Sequence, residues 1–298
     1  MDTEMMLDGA DLRGSAYMKT GLRRKNIFKK CFLYTLGIVL AIFYVFPIYI
    51  LLLNSFKTQR ALFLDVLGLP NSTSFTFKNY LEAFERLKYF KSFFNSLYIT
   101  IFSVILILLV SSMAAWVLVR HKTKISKLIF IVFSVSMLVP FQCVMIPLNS
   151  VAKKLHLLNP FGLIFMYIGF GVSLSVLMIH GFIKNIPEEL EESAIIDGCN
   201  VFQLFFVIVV PLLRVILITV AVLNIMWIWN DFLLPFLIIG GKQNYLTLPL
   251  KTYNFFSEYA KRWDLASAGL IMCMVPVILF YTWTQKYIIK GITDGAIK

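Results

Sequence analysis

The chain has 298 residues, of which 59% are hydrophobic and only 15% charged, and its mean hydropathy is +0.80. Soluble domains carry about 45–50% apolar and about 25% charged residues, so a soluble fold is excluded and an all-α integral membrane protein is expected. The net charge of +12 lies in short flanks beside apolar blocks with no nucleic-acid recognition module, so anionic lipid headgroups of the bilayer, and not nucleic acid, are its expected counterpart.

The apolar blocks are continuous and near the ~20 residues that a helix needs to cross ~30 Å of hydrocarbon, unlike the alternating pattern of a barrel. Residues 1–30 are polar and read as a cytoplasmic N-terminal tail. Within a transmembrane domain of residues 31–290, six spans are expected: Cys31 to Leu53, Phe93 to Val119, Leu128 to Asn149, Phe161 to Ile183, Val215 to Ile238 and Leu265 to Tyr287. Residues 291–298 form a C-terminal tail. Span one follows Arg23-Arg24-Lys25 and Lys29-Lys30 and runs into Asn54-Ser55-Phe56-Lys57. No small-residue cleavage site follows it, so it is expected to be retained and not removed as a signal peptide.

The segment from Asn54 to Ser92 starts with the turn residues LPNSTS and continues as FKNYLEAFERLKYF, where Tyr80, Phe84, Leu87 and Phe90 or Lys91 fall at helical spacing. A short amphipathic helix on the outer membrane face is expected there, and docking of a second protein fits the same residues. The turn after span two holds Arg120, Lys122, Lys124 and Lys127, which together with the basic leader mark the cytoplasmic side and return both termini to it. Pro140 and Pro147 interrupt span three and Pro276 interrupts span six. Each removes a backbone donor and favours a kink. Cys31, Cys143, Cys199 and Cys273 have no metal-ligand spacing and read as small packing residues.

Between spans four and five, Pro187 suits a first helical turn, and Glu188, Glu189, Glu191 and Glu192 match the positive end of the helix dipole. Gly198 costs a helix about 1 kcal/mol relative to Ala and supplies unusual backbone angles, so a helix, a bend and a second helix are expected. Ile195, Cys199, Phe202 and Phe206 recur at i, i+4, i+7 and i+11 as an apolar stripe. The carboxylates, Asp197 included, should meet water or cations. An ordinary amphipathic surface helix fits the same residues.

The order Glu192, Ser193, Ala194, Gly198, Ile208, Val210, Pro211 resembles the EAA motif of permease subunits in bacterial ABC importers, with Ser193 and Val210 in place of the usual Ala and Leu. The segments Ile146 to Ile164, Ile186 to Gly198, Trp229 to Pro235 and the C-terminal QKYIIKGITDGAIK extend the resemblance to the carbohydrate-uptake branch that includes the maltose permease MalG. The resemblance implies a six-helix MetI/MalG-like permease fold in the bacterial cytoplasmic membrane, moving a sugar or oligosaccharide by alternating access. It implies three protein partners: a separate ABC ATPase dimer, a second MalF-like permease and an external solute-binding protein. The EAA loop, residues 186–211, would seat in a cleft of the ATPase through Glu192, Ser193, Ala194, Asp197, Gly198, Ile208 and Pro211. Glu192 would pair with a basic residue of the ATPase, and Gly198 would permit the bend. The loop carrying Gly241, Gln243, Asn244 and Tyr245 would contact the binding protein.

The chain has no GxxxxGK[ST] phosphate loop, so it is not expected to be the ATPase. ATP and Mg²⁺ would be used by the partner, and no catalytic residue, metal site or cofactor is expected here. His121, His156 and His180 fall near span ends or in loops. Polar groups inside spans default to function, which singles out Gln142, Asn149, Asn224, Trp227, Asn230 and Asp231 as a substrate pathway. Rings beside amides suit a sugar, whose C–H face packs on aromatics while its hydroxyls need donors and acceptors. Interhelical hydrogen bonds and interfacial Trp anchoring account for the same residues. Two alternatives stand open: an ABC permease for a polyamine, phosphate or amino acid, and an ion-driven transporter, which would need ionisable groups or broken helices at the midplane.

Overall fold

The computed structural model describes residues 4–257 and 262–296. Among them every regular element is helical apart from one antiparallel bridge between Lys57 and Phe75. Side chains of the leader residues Arg23, Arg24 and Lys25, on which the topology reading partly rests, lie outside the described residues.

The chain runs through α1 (Glu4–Ser55), α2 (Gln59–Leu64), α3 (Lys78–Leu87), α4 (Tyr89–Arg120), α5 (Lys124–Ser136), α6 (Phe141–Lys154) and α7 (Pro160–Ile183). It continues through α8 (Glu189–Ile196), α9 (Val201–Leu212), α10 (Arg214–Asn230), α11 (Leu233–Ile239), α12 (Leu248–Ser257) and α13 (Trp263–Ala296). Spans one, two, four and six are single helices long and apolar enough to cross a membrane: Lys29–Ser55, Tyr89–Arg120, Pro160–Ile183 and Trp263–Lys286. No break separates residues 4–30 from span one, or residue 291 from span six: α1 and α13 are continuous there.

Span three departs from the expected single helix. α5 and α6 meet at 103°. α5 winds down through Leu138 N–H to Val135 O and Val139 N–H to Ser136 O, and Pro140, extended at ψ 137°, then opens α6. Pro140 lacks the N–H that would continue the ladder, and it pushes the residue before it out of the helical region. Pro147 is absorbed inside α6. Span five is also broken, since α10 stops at Asn230 and α11 resumes at Leu233. At its other end α10 meets α9 at 77°, and residues Leu204–Val209 of α9 are wound as a π-helix.

α4 and α7 pack along each other and carry α10. Gly171 permits the closest approach: a Cβ there would lie 2.5 Å from Ile107 Cδ1. In lipid such small residues let dispersion contacts do the work that water exclusion does elsewhere. One apolar cluster (Ile107, Leu163, Tyr167, Leu234, Ile239) fills the end near α11, and a second (Ala115, Val176, Ile179, Phe205, Leu213) fills the end that bears Arg120. A third cluster packs α3 and α12 on α13. α3 buries Asn79, Ala83 and Leu87 and packs Tyr80 against the same cluster, so Leu87 and Tyr80 of the expected stripe meet the core while Phe84 and Phe90 are exposed. Of the cysteines expected to pack, only Cys273 is buried. Cys31 and Cys143 are exposed and Cys199 is intermediate.

Candidate functional site

The segment after α7 is built from two local capping devices. α8 has Glu189, Glu191 and Glu192 in its first turn, where carboxylates favour the helix dipole. It ends at Asp197: Gly198 N–H donates to Ile195 O and Cys199 N–H to Ala194 O, both at 3.0 Å, with Gly198 at φ +87°. This is a Schellman turn, whose left-handed position favours glycine. Asn200 then caps α9: Gln203 N–H donates to Asn200 Oδ1 and Asn200 N–H to Gln203 Oε1, both at 2.9 Å. The reciprocal bonds satisfy two helix-terminal donors. Helix, bend and helix therefore stand as the sequence leads one to expect.

One side of this loop is fastened to the end of α4. Glu191 Oε1 accepts from Arg120 Nη2 at 2.6 Å and from Nε at 2.9 Å, and Glu191 Oε2 accepts from Trp116 Nε1 at 2.8 Å. Arg120 also donates to Ile186 O, and the Trp116 ring packs on Phe205. Glu191 is 7% exposed. Beside it, Lys122 donates to Glu188 at 2.8 Å, and this ammonium, with Arg120 adding to it, holds the Glu188 carboxyl below the usual carboxylate range. The other side is bare. Glu192 is exposed and makes no ion pair among the described residues, as are Ser193, Asp197, Gly198 and Pro211, while Ala194 is buried and Ile208 is intermediate. Ile195, Ile196, Phe202 and Phe206 are exposed, Ile196 by 85% and Phe202 by 72%. A groove of about 1070 Å³ opens between the turn after α4 and this loop, lined by Lys122, Lys127, Lys184, Glu188 and Glu192 among others.

The residues singled out inside spans do not form one cluster. Asn224 and Trp227 line a cavity of about 860 Å³ between α5, α6, α7 and α10, with Ser136, Ser173 and Phe141. Asn224 Nδ2 is taken up by Ser175 Oγ and Val220 O, so it serves interhelical bonding at the cavity wall. Trp227 stands edge-on to Tyr167. Asp231 accepts from Tyr167 Oη at 3.0 Å and from the Leu233 N–H, which ties the break in span five to α7. Asn230 donates to Met226 O within its own helix. Gln142 is exposed, and Asn149 Oδ1 is buried without a partner. Neither lines that cavity.

At the opposite end, Gly241, Gln243, Asn244 and Tyr245 are exposed. Their loop is pinned and not free: Lys91 donates to Asn244 Oδ1, Asn95 to the carbonyls of Asn244 and Leu246, and Lys251 to Gln243. The residues that sequence reading misses are Trp116, Arg120, Glu191 and Tyr167. The usable signal is Trp116 and Arg120 at i, i+4 on the last turns of a span, a donor pair facing one way.

A profile of the family described as "Binding-protein-dependent transport system inner membrane component" matches residues 107–294. The chain is 47% identical over 275 residues to the "Probable starch degradation products transport system permease protein AmyC" of Thermoanaerobacterium thermosulfurigenes, covering 92% of this chain and 99% of that protein. It is 34% identical to the "Melibiose/raffinose/stachyose import permease protein MelC" of Bacillus subtilis, covering 88% of this chain and 95% of that one. Among solved structures, a chain of a bacterial ABC transporter involved in the import of the acidic polysaccharide alginate is similar in fold, with TM-score 0.55, 14% identity, and coverage of 89% of this chain and 98% of that chain.

Proposed function

The chain belongs to the family of binding-protein-dependent transport system inner membrane components, and on that premise we propose that it is the permease subunit of an ATP-binding-cassette importer for a sugar or oligosaccharide. The solute class is supported by relatives named for starch degradation products and for melibiose, raffinose and stachyose. It is a multi-pass protein of the cytoplasmic membrane with both termini on the cytoplasmic side. It works with an ABC ATPase dimer that uses ATP and Mg²⁺, a second MalF-like permease and an external solute-binding protein.

The observation that carries the coupling role is the two-faced loop of residues 186–211. Its inner side is fixed by Glu191, while its outer side presents Ile196, Phe202 and Phe206 bare. Apolar side chains grouped on an exposed surface mark a protein contact. Seating this face on the ATPase covers them, gives the unpaired Glu192 a cation, and leaves Gly198 to set the angle between α8 and α9. Closure of the ATPases on ATP then moves the loop, Arg120 passes the motion to α4, and the spans exchange inward-open for outward-open. Nucleotide acts by shifting the populations of these two states. The cavity at Trp227 belongs to the solute path, and the loop at Gly241 to Tyr245 meets the binding protein.

Broken helices are also a mark of ion-driven carriers. The break in span three, however, consists of Met137, Leu138, Val139 and Pro140 and brings no ionisable group, and the acid in the break of span five, Asp231, is engaged by Tyr167 Oη and the Leu233 N–H. The test is co-expression with the genomic neighbours and purification in mild detergent. An ATPase and a second six-span permease should accompany the chain, and ATP turnover should rise when binding protein and sugar are added. A lone chain that moves solute without ATP would overturn the reading.

A further inference from the structure

The segment between α1 and α3 is folded inside out relative to a loop in water. Asn54, Ser55 and Lys57, with Asn79 of α3, turn inward, while Arg60, Asp65 and Asn71 to Thr73 stay exposed. Lys57 is 2% exposed and donates from Nζ to the carbonyls of Asp65 at 2.7 Å and Val66 at 3.4 Å. Asn54 Nδ2 donates to Ile50 O and Val66 O, and Asn79 Nδ2 to Ser55 O and Lys57 O. The one acid of the tip, Asp65, is exposed, and its Oδ1 accepts from the backbone N–H groups of Leu67 and Gly68, which places it at the headgroup level of an interfacial segment. Apolar side chains turn outward: Leu64 is 78% exposed and Leu69 76%, with Phe63, Val66 and Leu67 exposed as well. Only Leu62 of this run is buried.

Water rewards the reverse arrangement. Hydrocarbon rewards this one, because backbone carbonyls there need partners from within the protein while apolar side chains need none. Position agrees with composition. α1 ends at Ser55 and α2 starts at Gln59, so the tip lies where span one leaves the bilayer. From Phe32 to Leu52, α1 exposes apolar side chains, and the exposed apolar run of the tip follows it closely in the chain. Arg60 is exposed and sits at i, i+3, i+4 with Phe63 and Leu64, on one face of α2. A cation beside apolar side chains at that depth suits a lipid phosphate.

We propose that Phe63 to Leu69 is an interfacial anchor, inserted into the leaflet at the end of the molecule opposite the coupling loop, with phospholipid acyl chains as its occupant. It holds the outer end of span one at fixed depth while the other helices move.

The assembled transporter, in nanodiscs of phosphatidylethanolamine and phosphatidylglycerol, tests this with nitroxide labels placed by Leu64→Cys, Leu67→Cys and Ser72→Cys. Cys31, Cys143 and Cys199 are first replaced by Ala. All three labelled side chains are exposed, and retained ATP turnover checks that each variant is assembled. Collisions with oxygen, which concentrates among acyl chains, should exceed collisions with a water-soluble nickel chelate several-fold at positions 64 and 67, and the ratio should invert at 72. Nickel-dominated collisions at 64 and 67 would put the tip in water. Low collision with both reagents would mean that a protein partner covers it. Either result overturns the anchor.

Discussion

Replacing Glu191 by Ala should release the coupling loop from α4 without unfolding the spans. The Arg120 and Glu191 side chains are 13% and 9% exposed and share two bonds, with Trp116 supplying a third. Removing one partner of such a pair costs about 3–5 kcal/mol, mostly because the other charge is left buried. Arg120 would keep Ile186 O at 3.2 Å and Glu188 at 3.8 Å, so the lower end applies, about 3 kcal/mol. At about 1.4 kcal/mol per factor of ten, local opening of α8 should become roughly a hundred times more populated. Amide hydrogen exchange reads this directly: residues 189–197 should exchange about a hundredfold faster, while the α7 core around Val176 and Ile179 stays protected. Glu191→Gln keeps one acceptor for Arg120 but turns an NH2 donor toward the Trp116 Nε1–H, so it loses that bond as well as charge assistance, about 2 kcal/mol or roughly thirtyfold. The exchanged pair Arg120→Glu with Glu191→Arg should recover part of the protection. Exchange in Glu191→Ala within about threefold of the parent chain, set against the hundredfold expected from the buried pair, would refute the reasoning. An equal acceleration throughout α7 would refute it too.

Ile196→Ser and Phe202→Ser remove side chains that touch solvent, so stability should change by no more than about 0.5 kcal/mol. ATPase retained on the immobilised permease should nevertheless fall about thirtyfold, the loss typical of a contact worth about 2 kcal/mol. Gly198→Ala meets no atom within 4 Å, so its cost is backbone strain of about 1–2 kcal/mol, visible as reduced uptake with normal membrane insertion. Gly198→Asp adds a charge at the bend and should abolish uptake, and normal transport by it would remove the coupling assignment. Gly171→Val would press on Ile107 Cδ1 and on Asn224 Oδ1, 2.5 and 3.0 Å from a Cβ. It should cost about 1–3 kcal/mol, seen as a lower melting midpoint in detergent, and Ile107→Ala should relieve part of the loss because the two sites touch.

How far the sequence reveals this protein depends on the range of the interaction that decides each feature. Spans one, two, four and six are long apolar runs, and length with composition suffices for them. The Gly198 turn is legible for the same reason, since a Schellman cap and an Asn200–Gln203 capping box involve neighbours only. Pro140 and Pro147 look alike in the sequence, yet one splits a span at 103° and the other rides inside a helix. What separates them is whether the freed groups find partners among other helices, which is tertiary information. Asp231 reads as an isolated intramembrane acid, but Tyr167 and the Leu233 N–H give it a structural task. Least legible is Glu191, one of four carboxylates within five residues. The phase of α8 against Trp116 and Arg120, some seventy residues earlier, sends Glu191 inward and leaves Glu192 outside.

The π-helical run from Leu204 to Val209 gives the loop unequal ends. Each of its turns holds more chain than an α-turn, so rewinding it as α-helix would lengthen α9 by one residue, about 1.5 Å, and rotate what lies beyond by about 100°. At the α8 end the charged clamp on α4 has no such slack. If the loop couples as proposed, a displacement of α8 would reach α4 as through a strut, and α10 as through a spring, after the spare residue has been taken up. On the proposed coupling, the two halves of the bundle would move in sequence.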